Sequence, residues 1–84
     1  MPWCVYIIKS LKTRWYYVGS TNNSEKRLKE HNAGHVTSTK NYVPLKLVFK
    51  KVFDSEKEAR TYEKKIKKKR IEKEKIIREV DGKK

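Results

Sequence analysis

The 84 residues contain a single cysteine, Cys4, two prolines and three glycines. One thiol closes no internal disulfide, and His31 and His35 stand far from any cysteine pair, so zinc-finger spacing is absent. The fold is expected to rest on packing alone, which suits a reducing cytoplasm. Long apolar runs are missing too. The longest, Cys4-Val5-Tyr6-Ile7-Ile8, falls far short of the roughly 20 residues of a membrane span, and no basic segment precedes it as in a secretory signal. A soluble cytoplasmic chain is expected. Acids are scarce: ten Asp and Glu face 23 Lys and Arg, a formal charge of +13. That excess favours a polyanionic partner, nucleic acid before an anionic membrane, although Lys and Glu enrichment also builds structural ion networks in heat-adapted proteins. A hydrophobic share of only 36% would suit disorder, but nine aromatics, clustered apolar runs and so few Gly and Pro point to one small folded domain.

Residues 3 to 9 and 15 to 19 are rich in β-branched and aromatic side chains and flank a polar gap, Ser10 to Arg14, which predicts a hairpin. The near-continuous apolarity of the first strand implies burial on both faces and a central place in the sheet. After Gly19, the run from Ser20 to Ser24 is cap and turn chemistry. Asn22 followed three residues later by Glu25 predicts a helix over about 24 to 33, ended by Gly34. Residues 35 to 44 read as a polar loop stopped by Pro44. Leu45, Leu47, Val48, Phe49, Val52 and Phe53 then form a third strand, with Lys46, Lys50 and Lys51 marking a wet edge. Ser55 and Glu58 make a capping box for a second helix from about 56, whose Ala59, Tyr62 and Ile66 share one face. Helical character is expected to persist through Ile71, Ile76, Ile77 and Val80, with a bend or a separate helix near Arg70 and a frayed tail after Asp81.

Tyr6 and Tyr17 on two strands, Arg27 and His31 one turn apart on a helix, and Glu63 among lysines on a second helix form a candidate hydrolytic constellation. Cys4-Val5-Tyr6 and Tyr17-Val18-Gly19, with ten residues between the tyrosines, followed by Arg27, His31 and Glu63, resemble the GIY-YIG nuclease superfamily, closest to its small single-domain bacterial and archaeal branch. The similarity spans roughly residues 3 to 70. It implies an α/β (α+β) fold with a three-stranded antiparallel sheet flanked by helices, and metal-dependent cleavage of DNA phosphodiesters, with structure-selective repair or recombination as the setting. Two departures stand out: Cys4 replaces the leading glycine of the first half, and Val18 replaces isoleucine in the second.

The residues suit such chemistry. Glu63 is a hard oxygen ligand for Mg²⁺ or Mn²⁺, and Arg27 offers a permanent bidentate charge to the phosphate. The resemblance implies that one tyrosine takes the proton of the attacking water. Tyr6 is assigned that role and Tyr17 an orienting one. The phenol pKa of about 10 must then fall, a shift that Arg27, a metal and the cationic chain all favour. His31 is the rival base, and the residues alone leave the choice open. Gly19 lets a phosphate or the following loop approach the backbone, and Thr21, Asn22, Asn23, Lys40, Lys64, Lys67 and Lys68 are candidate DNA contacts. Each also has a plainer reading: strand tyrosines as core rings, Arg27 and His31 as a solvated helix face, Glu63 as half of an i, i+4 ion pair with Lys67. His35, Cys4, Trp3 and Trp15 read as structural. A basic nucleic-acid-binding module without efficient catalysis is the alternative function. Membrane-surface or partner-helix binding through the Ile-spaced C-terminal segment is a third reading, and a protein partner that supplies specificity fits so small a chain. The oligomeric state is not encoded in these features.

Overall fold

The computed structural model describes residues 2–69 and 74–79. Strands β1 (Trp3–Ser10) and β2 (Tyr16–Thr21) are followed by α1 (Ser24–Asn32), a 3-10 turn (Lys40–Tyr42), β3 (Leu45–Phe53) and α2 (Glu56–Lys68). Residues 74–79 are again helical. The strands form one antiparallel sheet in the order β2-β1-β3, which places β1 at the centre as its apolar run requires.

Alternation along β1 divides the core in two. Val5 and Ile7 join Val18, Ala59 and Ile66 beneath α2, whereas Tyr6 and Ile8 join Leu45, Leu28 and Tyr42 on the α1 side. A bulge keeps β3 in step with both layers: Ile7 pairs with Phe49 and Ile8 with Leu47, leaving Val48 as the extra residue.

Two predicted boundaries shift. Strand β2 does not end at Gly19, because Ser20 and Thr21 still pair with Val5 and Cys4. The turn is thereby displaced one residue, and Asn23 rather than Asn22 caps α1, its side chain accepting the Lys26 N–H at 3.1 Å. Thr21 braces the turn by accepting the Asn23 N–H at 3.1 Å. Gly34 adopts φ 81° just past α1, as a helix-ending glycine should. The 3-10 turn inside the 35–44 loop carries no periodicity that would announce it.

At the start of α2, Ser55 accepts the Glu58 N–H at 3.3 Å as the expected N-cap, and Glu58 Oε1 answers by accepting the Ser55 hydroxyl at 3.2 Å, where a full capping box would take the Ser55 backbone N–H. The helix stops at Lys68. Arg70, Ile71, Val80 and the tail after Asp81 lie outside the described residues. Ile76, from the 74–79 helical segment, packs against the core beneath α2 and so does not belong to a free apolar stripe.

Candidate active site

The β1–β2 register sets Tyr6 opposite Gly19 and Ile8 opposite Tyr17, all on the α1 side. The Tyr6 ring lies across Gly19, where a Cβ would stand only 2.5 Å from the phenolic oxygen. The glycine thus makes room for the tyrosine itself, not only for an approaching phosphate.

Helix α1 presents Arg27 and His31, one turn apart, to this surface. His31 is fully buried, at 0% exposure. Its Nε2 lies 3.0 Å from the Tyr6 hydroxyl and its Nδ1 2.7 Å from Thr39 Oγ1. The rings of Tyr6, Tyr17 and His31 are mutual neighbours, with centroids 6.5, 5.9 and 5.2 Å apart. Arg27 is half-buried, donates from Nη1 to Glu30 Oε1 at 3.2 Å, and turns its guanidinium toward the Tyr6 oxygen.

Glu63 comes from the other side of the sheet. Its Oε1 accepts the Ser20 hydroxyl at 2.6 Å and its Oε2 pairs with Lys67 Nζ at 2.6 Å. Ser20 faces α2 and Tyr17 faces α1, yet Lys67 Nζ also sits 5.7 Å from the Tyr17 ring centre, so the lysine wraps the free edge of β2. The carboxylate stands at that rim, and its charge is felt at Tyr6. Of the five candidate residues, Tyr6, Tyr17, Arg27 and His31 are gathered on the α1 face, while Glu63 stands on the α2 side and is linked to them through Lys67, which reaches the Tyr17 ring. The plain reading of Glu63 as partner of Lys67 holds at the same time.

The electrostatics correct one expectation. Tyr6 is pushed up to about 12, chiefly by burial, with Tyr17 and Glu63 adding to the rise and Arg27 opposing it. Burial wins because the hydroxyl is enclosed, and a depth of that kind is invisible in composition. His31 is lowered, first by burial and then by Arg27, against a raising effect of Glu30. For Glu63, burial raises the carboxyl, but Lys67 and Ser20 outweigh it and hold it below the usual range.

Among the candidate DNA contacts, Thr21 is buried and Asn23 is occupied as the α1 cap, while Asn22, Lys40, Lys64 and Lys68 are exposed. A groove of about 310 Å³ beside the site is lined by Ser20, Asn22, Lys26, Arg27, Glu30 and Arg60 among others. Ser20 and Thr39 escape the sequence reading. Continuing the β2 alternation past Gly19 puts Ser20 on the face of Val18 and toward α2, a signal that was available. Thr39 sits in a polar run without pattern and carries no such signal.

The model of the GIY-YIG catalytic domain matches residues 2–75. The chain belongs to the GIY-YIG family. UPF0213 protein CPE1444 of Clostridium perfringens is 45% identical over 65 residues, spanning 76% of this chain and 69% of that one. The solution NMR structure of UPF0213 protein BH0048 from Bacillus halodurans superposes with a TM-score of 0.56 at 30% identity, over 92% of this chain and 83% of that one. These relatives place the protein in the small single-domain branch of the GIY-YIG nucleases. Within this GIY-YIG chain the missing glycine of the first half leaves the strand intact: Cys4 is buried in regular pairing with Thr21 and Val52. Among the described residues no helix is long and apolar enough to cross a membrane.

Proposed function

We propose that the protein is a metal-dependent endonuclease that hydrolyses DNA phosphodiester bonds. The 3.0 Å contact between the buried Tyr6 hydroxyl and His31 Nε2 carries this reading. A phenol raised to about 12 does not ionise unaided near neutrality. A neutral imidazole at its hydroxyl removes that need. As the attacking water gives a proton to the Tyr6 oxygen, the phenolic proton passes to Nε2. The hydroxide forms the new P–O bond, the bond to the leaving alkoxide breaks, and His31 ends as imidazolium. Tyr6 and His31 then act in series, not as alternatives. Arg27 forks onto the phosphate oxygens where charge grows, and Tyr17 orients the water and phosphate.

Mg²⁺ or Mn²⁺ is the proposed cofactor, with Glu63 as its ligand. The donor set fits a hard ion that keeps most of its waters and needs one or two carboxylates. Among the described residues no three His, Cys, Asp or Glu cluster, so Glu63 would hold the ion beside the Ser20 hydroxyl. Lys67 would release Oε2, and a pair with so exposed a lysine is worth only roughly 0.2–1 kcal/mol. When bound, the ion supplies charge neutralisation at the phosphate and acidifies water. Gly19, Thr21, Asn22, Asn23, Lys40, Lys64, Lys67 and Lys68 are proposed to flank the DNA, Thr21 and Asn23 through the turn they build. Structure-selective repair or recombination in the cytoplasm, with a protein partner for specificity, completes the proposal.

The test is incubation with duplex, nicked, flapped and branched DNA and either metal. Cutting by the parent and a loss of at least about 100-fold in Tyr6→Phe and Glu63→Ala are expected. Equal cutting by either variant sinks the assignment. One observation favours a second reading, a basic binding module with weak or no catalysis: both Glu63 oxygens are already engaged. That module would bind DNA without metal and be indifferent to Glu63→Ala.

A further inference from the structure

Thr39 is fully buried, at 0% exposure, in the connection between α1 and β3. Its hydroxyl lies 2.7 Å from His31 Nδ1 and 3.4 Å from the Val36 carbonyl. Donor and acceptor inventory fixes where the hydrogens go. The Tyr6 oxygen faces the Arg27 guanidinium, which only donates. Among the described residues, the acceptor within reach of the Tyr6 hydroxyl hydrogen is His31 Nε2, at 3.0 Å. Nε2 must then be bare, and a neutral imidazole with bare Nε2 carries its hydrogen on Nδ1. That hydrogen points at Thr39 Oγ1, whose own hydrogen turns to the Val36 carbonyl. With the chain reversed, the Tyr6 hydrogen would be buried without a partner, a cost that native interiors avoid.

We propose that Thr39 is a positioning residue for the reaction: by accepting the Nδ1–H of His31 it holds the imidazole in the tautomer whose Nε2 receives the Tyr6 proton. The inference rests on reading Tyr6 and His31 as the proton path of a nuclease. Tyr6 from β1, Tyr17 from β2, and Arg27 and Glu30 from α1 face His31. Burial and Arg27 disfavour the imidazolium and Glu30 favours it, leaving the ring below its ordinary value and neutral at working pH. The role resembles that of a hydrogen-bonded carboxylate behind a catalytic histidine, with a neutral hydroxyl in its place.

Two-bond proton–nitrogen correlation spectra of metal-free, nitrogen-15-labelled protein separate a protonated ring nitrogen from a bare one, and His31→Gln assigns the signals. Protonated Nδ1 and bare Nε2 are expected for His31 in the parent. Thr39→Val keeps the shape and deletes the acceptor, so His31 should shift toward the Nε2–H form, and Thr39→Ser should restore the parent spectrum. In cleavage, Thr39→Val should lose about 10- to 100-fold in kcat, with KM within about twofold and Thr39→Ser close to the parent. A parent His31 protonated at Nε2 overturns the proposal whether or not any variant folds. An unchanged spectrum and rate in Thr39→Val overturn it as well. If the parent cuts no substrate, the nuclease reading falls, and the spectra still decide whether Thr39 sets the tautomer.

Discussion

At position 19 even a methyl group would collide with the Tyr6 hydroxyl, 2.5 Å away. Gly19→Ala is therefore expected to force Tyr6 off His31 Nε2, destabilising the protein by roughly 1–3 kcal/mol in urea unfolding and reducing cleavage toward the level of Tyr6→Phe. His31 makes a second, pH-dependent prediction. Its folded value lies below the ordinary 6.5, so the unfolded chain takes up the proton first. Its contribution is fully present above 6.5 and is lost as pH falls through the folded value. Glu63, also lowered, adds a loss only once pH drops below its ordinary 4.5. Thermal unfolding between about pH 7.5 and 5.5 should show Tm falling toward acid. The slope should flatten in His31→Gln, and a Tm indifferent to that substitution would contradict the buried neutral imidazole. The candidate residues were legible in sequence where they carry a family spacing: Tyr6, Tyr17, Arg27, His31 and Glu63. The direction of the Tyr6 shift was not, because the sequence shows the neighbouring cation but not the depth of burial that outweighs it.

Element boundaries followed local chemistry where that chemistry had one solution. Ser55 with Glu58, and Gly34 after α1, behave as their types dictate. The Asn22-Asn23 pair offered two caps of equal merit, and long-range pairing of Ser20 and Thr21 with β1 chose the second. Helix α2 owes its place to Ala59 and Ile66, both fully buried against Val5, Ile7 and Val18. Ile66→Ala should cost about 2–5 kcal/mol in chemical denaturation. Glu63 lies one turn earlier on the same helix, so loosened docking should also lower cleavage. A stability change below about 1 kcal/mol would mean that α2 is held by something other than this face.

At the scale of the molecule, the +13 charge is spread widely. A hollow of about 550 Å³ at the far end of the sheet is lined by Lys9, Lys12, Arg14 and Lys46 with no acid among its residues. Binding to duplex DNA in chelator should weaken log-linearly with salt, at a slope of about −0.9 for each phosphate neutralised. Anisotropy titrations across a salt series measure it, and a flat response would refute a charge-led encounter. The placement of Glu63 has a consequence for assembly. From α2 it is the Lys67 side chain, paired with Glu63, that reaches Tyr17 around the outer margin of β2, so a site drawing on both faces needs that margin bare. A neighbouring chain that added its own strand there would wall off Tyr17 and wedge between Ser20 and its acid. The opposite border of the sheet, along β3, is under no such restriction. Any self-association compatible with cutting must therefore use that border or a helix surface.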